Sequence, residues 1–382
     1  MTSTIASINK YSSVTVNPLA SPEQIYELYS VPSFDTQYPE IITGKDIGST
    51  KVEIQENDVL ICKINPRINR VWIVKHNTEY PLIASSEWIV VRSPENDPSY
   101  LKWYFSSEQF KRLMVSQVTG IGGSLTRAQP KQVATYPVPL PDLPTQRRIA
   151  TTLDKVSEGI AVCRQMLADL DVMVKARFVE MFGDPVDNPM GWVTKSLTSM
   201  GACKNGMNFH NSDSGVEINC LGVGDFKDYS VIDDTASLPT VSLNEMPPED
   251  YLLRDEDIVF VRSNGNKTMV GRSVAVYPGN TPTTYSGFCI RYRNADKSIS
   301  VPYLLRVLKT DSMRKQMYGR GANIQNLNQQ ILASLQIPVP PMELQKQYVD
   351  FVAQADKSKS VVQQQLAELE TLKKSLMQEY FG

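Results

Sequence analysis

The feature that most constrains this chain is that one sequence pattern is written in it twice. Val138-Pro139-Leu140-Pro141 returns as Ile337-Pro338-Val339-Pro340, Gln146 as Gln345, and Phe182-Gly183 as Phe381-Gly382, each displaced by 199 residues. The same displacement carries Leu167-Ala168-Asp169-Leu170 to Leu366-Ala367-Glu368-Leu369, and Gly120 and Gly122 to Gly319 and Gly321. It also lays the strand-like IxxxDVLI of residues 54–61 onto the LxxxDIVF of residues 253–260. Between these, Tyr100-Leu101 meets Tyr303-Leu304 and Lys111-Arg112 meets Arg314-Lys315, now at 203. Chance similarity among short motifs does not hold so many matches in one register. A length of 382 residues also exceeds what one ordinary core organises. The expected order is globular unit, helix, globular unit, helix, divided as 1–140, 141–183, 184–339 and 340–382, in a mixed α/β (α+β) fold. One asymmetry stands out. Gly191-Trp192-Val193, which opens the second unit, has no evident counterpart at the start of the first.

A heptad pattern follows each proline-rich exit. Ile149, Leu153, Val156, Ile160, Cys163, Leu167, Leu170, Val174 and Met181 form a seam whose steps mostly alternate four and three, the 3.5-residue average of a coiled coil. The second copy reads Tyr348, Val352, Ala355, Lys359, Val362, Leu366, Leu369, Lys373, Leu376 and Tyr380. Lys359 and Lys373 weaken it as a self-pairing seam. Antiparallel pairing of the two helices is therefore the economical arrangement. At about 38 residues each would run roughly 57 Å. Pro141 and Pro144 before the first helix and Pro185 after it mark its ends. The alternative is that each helix packs on its own unit, but a globular face usually demands a wider apolar stripe than this one. Two like units joined by paired rods would measure a fixed distance, as proteins that read DNA half-sites do.

Composition narrows the chemistry. Five scattered cysteines (62, 163, 203, 220, 289), with no CxxC, fit a reducing, cytoplasmic setting and argue against a disulfide framework or zinc site. Two histidines, His76 and His210, make a His-based metal centre or triad an unattractive reading. No leader-like start and no run of about 18 apolar residues is read, so neither export nor a membrane span is expected. The net charge of −2 hides local asymmetry. Residues 59–78 contain no acid but hold Lys63, Arg67, Arg70 and Lys75; residues 109–141 hold Lys111, Arg112, Arg127 and Lys131. In the second copy, acid-free residues 258–293 hold Arg262, Lys267, Arg272, Arg291 and Arg293, and residues 312–342 hold Arg314, Lys315 and Arg320. Such windows are candidate phosphate surfaces. Asn65, Asn69, Asn264, Asn266, Asn323, Gln325, Asn326 and Asn328 accompany them, and amides can read base edges. Any one of these side chains has a solvated surface as its competing role; the recurrence in both copies carries the argument. The glycine-rich segments 120–124 and 319–323 fit either tight turns or close approach to phosphate.

Enzyme motifs fail on inspection. Asp97-Pro98-Ser99-Tyr100 approaches the DPPY loop of adenine methyltransferases but lacks its second proline, and Ser300-Val301-Pro302-Tyr303 has no acid. Both read better as helix starts. No GxxxxGK[ST] is present, so ATP-driven motion is not expected of this chain. Pro94-Glu95 with Lys102 is a poorly spaced nuclease pattern that the second copy lacks.

Taken together, the paired PVPLPDLPTQRRI and IPVPPMELQKQY exits, the heptads, the FGDP and YFG helix ends, and the DVLICKINPRINRVWIV and DIVFVRSNGNKTMVGRSVAV strands resemble the specificity subunit of type I restriction-modification enzymes over essentially the whole chain. The resemblance implies two target-recognition domains related by pseudo-two-fold symmetry, each reading one half of a bipartite site in double-stranded DNA. It implies helices that set the spacer and dock two modification subunits, together with restriction subunits. It implies no cofactor in this chain; S-adenosylmethionine, ATP and magnesium would sit on the partners. The residues expected at DNA are Lys63, Arg67, Arg70, Lys75, Arg127, Arg262, Asn264, Lys267, Arg272 and Arg320. The alternatives are a diverged DNA methyltransferase or nuclease, and a scaffold that binds only proteins.

Overall fold

A computed structural model describes residues 2–116, 118–119, 126–209, 214–226, 231–266, 268–317 and 326–382. Its contacts divide the chain into two compact units, one of residues 1–166 with 362–382 and one of residues 167–361.

Each unit is built on a pair of strands buried on both faces. In the first, Val59–Cys62 pairs antiparallel with Val71–Ile73 and with Trp88–Val91. Val59 and Ile61 point into one apolar cluster, Leu60 and Cys62 into another. In the second, Asp257–Val261 pairs antiparallel with Ser273–Val276 and Cys289–Asn294, and sends Ile258 and Phe260 one way, Val259 and Val261 the other. Side chains alternate along a strand, so a continuous apolar run is what a strand between two cores needs. Each unit also has a parallel pair, Ile25–Tyr29 with Leu82–Ser85 and Val216–Leu221 with Thr283–Tyr285.

The strand that follows Gly191-Trp192-Val193 has a counterpart in the first unit. Thr2–Thr4 pairs antiparallel with Pro137–Pro139, as Thr194–Ser196 pairs with Gln336–Pro338. A one-turn helix follows each, capped by the hydroxyl of Thr4 on the Ser7 N–H and of Ser196 on the Ser199 N–H. The offset here is 192, not 199, and the sequences share little beyond hydroxyl and apolar positions, which is why the match was invisible in the sequence.

The two long helices, Leu143–Phe182 and Met342–Phe381, have 40 residues each. Their first turns are tied to the units by equivalent glutamines. The Gln146 carboxamide accepts from the Asp97 N–H and donates to the Pro141 carbonyl and the Asn96 side chain. The fully buried Gln345 accepts from the Ser300 N–H and donates to the Ser298 and Pro340 carbonyls.

Within each unit the two helices run antiparallel against each other. In the first, the Arg164 guanidinium meets Glu370 at 2.7 Å, and Gly159 faces the Leu369 side chain. In the second, Lys359 meets Asp171 at 2.6 Å and the Tyr348 hydroxyl donates to the Val174 carbonyl. Every expected seam position is buried or half-buried: Ile149, Leu153, Ile160 and Val362 are buried, while Val156, Leu167, Leu170, Val352, Leu366, Leu369 and Leu376 are half-buried. Two helices alone cannot enclose a seam fully. The two lysines that looked like defects make specific contacts. Lys359 bridges Asp171, and Lys373 lies over the Trp103 ring at 4.8 Å.

The pairing and the packing alternatives prove compatible. Ile149, Ala150 and Leu153 enter the first core together with Phe381, whose ring lies 5.6 and 5.9 Å from Tyr100 and Tyr104. Reciprocally, Phe178 and Phe182 enter the second core, Phe182 lying 4.9 Å from Tyr303 and 5.6 Å from Tyr348. The 3.5 periodicity thus gives way beyond Val174 to Phe178 and Phe182, and Met181 is only partly buried. Each core is completed by the end of the helix that begins in the other sequence copy.

Candidate nucleic-acid interface

The central strand pairs end in equivalent connecting segments, residues 63–70 in the first unit and 262–272 in the second. Each is clamped in the same way. The Lys63 N–H donates to the Glu87 carbonyl and the Lys63 carbonyl accepts from the Ala128 N–H; the Arg262 N–H donates to the Phe288 carbonyl and the Arg262 carbonyl accepts from the Leu327 N–H. The bridges Ile64 to Arg127 and Ser263 to Asn326 repeat as well. Three stretches far apart in sequence therefore converge at one end of the strands in both units.

The expected DNA residues distribute unevenly over this end. Arg67 is exposed and lines an open groove of about 430 Å³ with Glu108, Lys111 and Arg112, Lys111 pairing with Glu108 at 3.2 Å. Lys63 and Arg127 are not free cations. Both approach Glu87, at 3.9 and 3.1 Å, and the Lys63 ammonium also donates to the Ser86 carbonyl. Arg70 is half-buried against the Cys62 thiol, which burial pushes above its ordinary pKa. Lys75 is exposed at the opposite end of the strands, its backbone bracketing the Tyr29 hydroxyl, so it does not join the others. In the second unit, Arg262 is half-buried and donates to the Gly287 carbonyl. The Asn264 side-chain oxygen accepts from the Asn266 N–H, and that of Asn266 from the Thr268 N–H and hydroxyl, which fixes the turn. Arg272 closes the segment, its carbonyl accepting from the Val261 N–H. Lys267, Arg320, Asn323, Gln325, His210 and both glycine-rich segments lie outside the described residues.

Some members of the acid-free windows serve the fold. Arg293 is bidentate to Asp257, and the hydrogen bonds raise its pKa; Arg92 binds Asp58 in the same manner. Arg291 is buried. The Arg314 guanidinium donates to the Thr268 and Val270 carbonyls, bracing the connecting segment 262–272. Asn69 donates to the Phe105 carbonyl, and Asn328 caps the helix Gln329–Ser334. Beside them Lys309 is pushed down to about 8, by burial and then by Arg306, Arg272 and Arg314, which marks a cationic cluster at this end of the second unit. Glu87 and Phe288, at matching positions, were not anticipated.

Among the described residues no group of His, Cys, Asp and Glu side chains is placed to hold a metal, and no helix is long and apolar enough to cross a membrane.

A sequence model of the type I restriction modification DNA specificity domain matches residues 8–171 and again residues 224–371. The chain belongs to this family. Its type I specificity relatives include the StySPI specificity subunit of Salmonella potsdam, 24% identical over 307 residues, or 74% of this chain; the chain spans 65% of that relative's length. A structure from a study of complex assembly and conformational transition in the type I system is similar with a TM-score of 0.63 at 17% identity, over 100% of this chain and 97% of the other. The type I S subunit from M. genitalium gives 0.57 at 13% identity, over 100% and 96%. At these identities the likeness is one of fold. The family match falls once on each half, and each matched stretch contains one of the two clamped segments.

Proposed function

We propose that this chain is the non-catalytic specificity subunit of a type I restriction-modification complex, and that each unit reads one half of a bipartite DNA site through its clamped segment. The observation that carries the reading is the recurrence, in a chain of this family, of one backbone clamp beside exposed or half-buried cations in both units. Arg67 and Arg112 in the open groove of the first unit, and Arg262 and Arg272 at the ends of the clamped segment in the second, are the groups that would face phosphate. The partners are double-stranded DNA, two modification subunits that carry S-adenosylmethionine, and restriction subunits that use ATP and magnesium, all in the cytoplasm. The paired helices fix the unread spacer.

Selection from a random DNA library, with the chain co-purified with a modification subunit, should enrich a two-part site. Mapping adenine methylation in the host with and without the gene should return the same site. Deleting one heptad after Gln146, with its counterpart after Gln345, should change the spacer and not the half-sites. Recovery of no bipartite site refutes the proposal. Methyl transfer by the purified chain without partners would instead point to a diverged methyltransferase.

A further inference from the structure

Of the eleven phenylalanines, Phe288 alone is exposed, at 61%. A single exposed apolar side chain is ordinary on a protein surface. Its mounting is not. Two loop backbones cross beneath it: the Gly287 N–H donates to the Met207 carbonyl at 2.6 Å, Met207 N–H to Tyr285, and Gly206 N–H to Cys289. A Cβ on Gly206 would lie 2.1 Å from the Ser286 carbonyl oxygen, and one on Gly287 2.1 Å from the Asn208 side chain. Only glycine permits this crossing. The Phe288 carbonyl in turn receives the N–H groups of Arg262 and Ser263. The phenyl is thus held out by a braced support, with Arg262 and the Asn264–Asn266 turn as chain neighbours of the same clamp.

The first unit has Glu87 at this place. Strand pairing fixes the equivalence: Cys62 faces Trp88 as Val261 faces Cys289, so the residue before each is Glu87 or Phe288. There a carboxylate draws in Lys63 and Arg127. One backbone site therefore carries a charged organiser in one unit and an apolar ring in the other. That is the expected signature of a position that differs because the two half-sites differ.

We infer that Phe288 is a specificity-determining residue that contacts a base in the half-site read by the second unit, packing its ring on an apolar base surface such as a thymine methyl or an opened base step. Apolar side chains make such contacts in both grooves. The inference rests on the DNA-reading role proposed above.

The test is library selection with the chain bound to a modification subunit, comparing wild type with Phe288→Ser, Phe288→Leu and Glu87→Gln. Phe288→Ser should keep the wild-type melting temperature, because its side chain is exposed. It should lose preference at one or two positions of one half-site, with about a 5- to 100-fold loss on the wild-type site. Phe288→Leu should retain part of the preference. Glu87→Gln should alter only the opposite half-site. A Phe288→Ser logo identical to wild type, with affinity either unchanged or lowered equally on all sequences, overturns the inference while leaving the DNA-reading role intact. A wild-type chain that enriches no site overturns both.

Discussion

Replacing Phe381 by alanine should destabilise the first unit, although Phe381 ends the second sequence copy. Phe381 belongs to the second sequence copy, yet it is 3% exposed in the core of residues 1–166 and 362–382, against Tyr100 and Tyr104. Truncating a buried phenylalanine costs about 3–5 kcal/mol in lost burial and cavity. A loss of about 3 kcal/mol raises the opening equilibrium of the first unit on the order of 150-fold. Native-state hydrogen exchange resolves this by region. Amides of Val59–Cys62, Trp88–Val91 and residues 101–105 should exchange about two orders of magnitude faster. Those of Asp257–Val261 and Cys289–Asn294 should change little. Phe182→Ala should produce the mirror image, with acceleration confined to the second set. If Phe381→Ala accelerates the second set, or both sets equally, the reciprocal completion of the cores is wrong.

Three further outcomes follow from buried polar groups. Gln345→Leu strands the Ser300 N–H and two carbonyls, costing about 2–5 kcal/mol; calorimetry should show the transition of the second unit lowered by about 4–20 °C. Asp257→Asn leaves Arg293 half-buried without its partner and should cost about 3–5 kcal/mol, most of it recovered in the double variant with Arg293→Met; no recovery in a denaturant titration would refute the pairing argument. Lys309 has its folded pKa lowered to about 8, so between about 8 and its ordinary 10.5 the unfolded chain binds a proton that the folded one does not. Stability of the second unit should therefore rise with pH across that window, by at most about 1.4 kcal/mol per unit. Subtracting the profile of Lys309→Met should remove that slope, and a difference that is flat or of opposite sign would count against it.

The repeat, the long helices and the central strands were legible because each is a local pattern whose period or recurrence reports its environment. What escaped detection depends on partners far apart in sequence. Acid-free windows did not make Arg293 a surface residue, because the strand beside it supplies Asp257, 36 residues away. Lys63 and Arg127 looked free for the same reason, since Glu87 reaches them only once the strands pair. The one-turn helix Ile5–Ile8 was hidden because capping needs only a hydroxyl and an apolar residue, which leave no distinctive motif. Phe381 read only as part of a repeated helix end, because a repeat marks an equivalent position without saying which core it enters.

The crossed ownership of the helix ends imposes an order on synthesis. The first unit's globular part leaves the ribosome with an open gap where residues 362–382 belong, and the 195 residues of 167–361 must be translated before those arrive. At 5–20 residues per second the delay is roughly 10–40 s. Throughout it the rings of Tyr100 and Tyr104 face water or a chaperone, and an interrupted message leaves that half permanently unfinished.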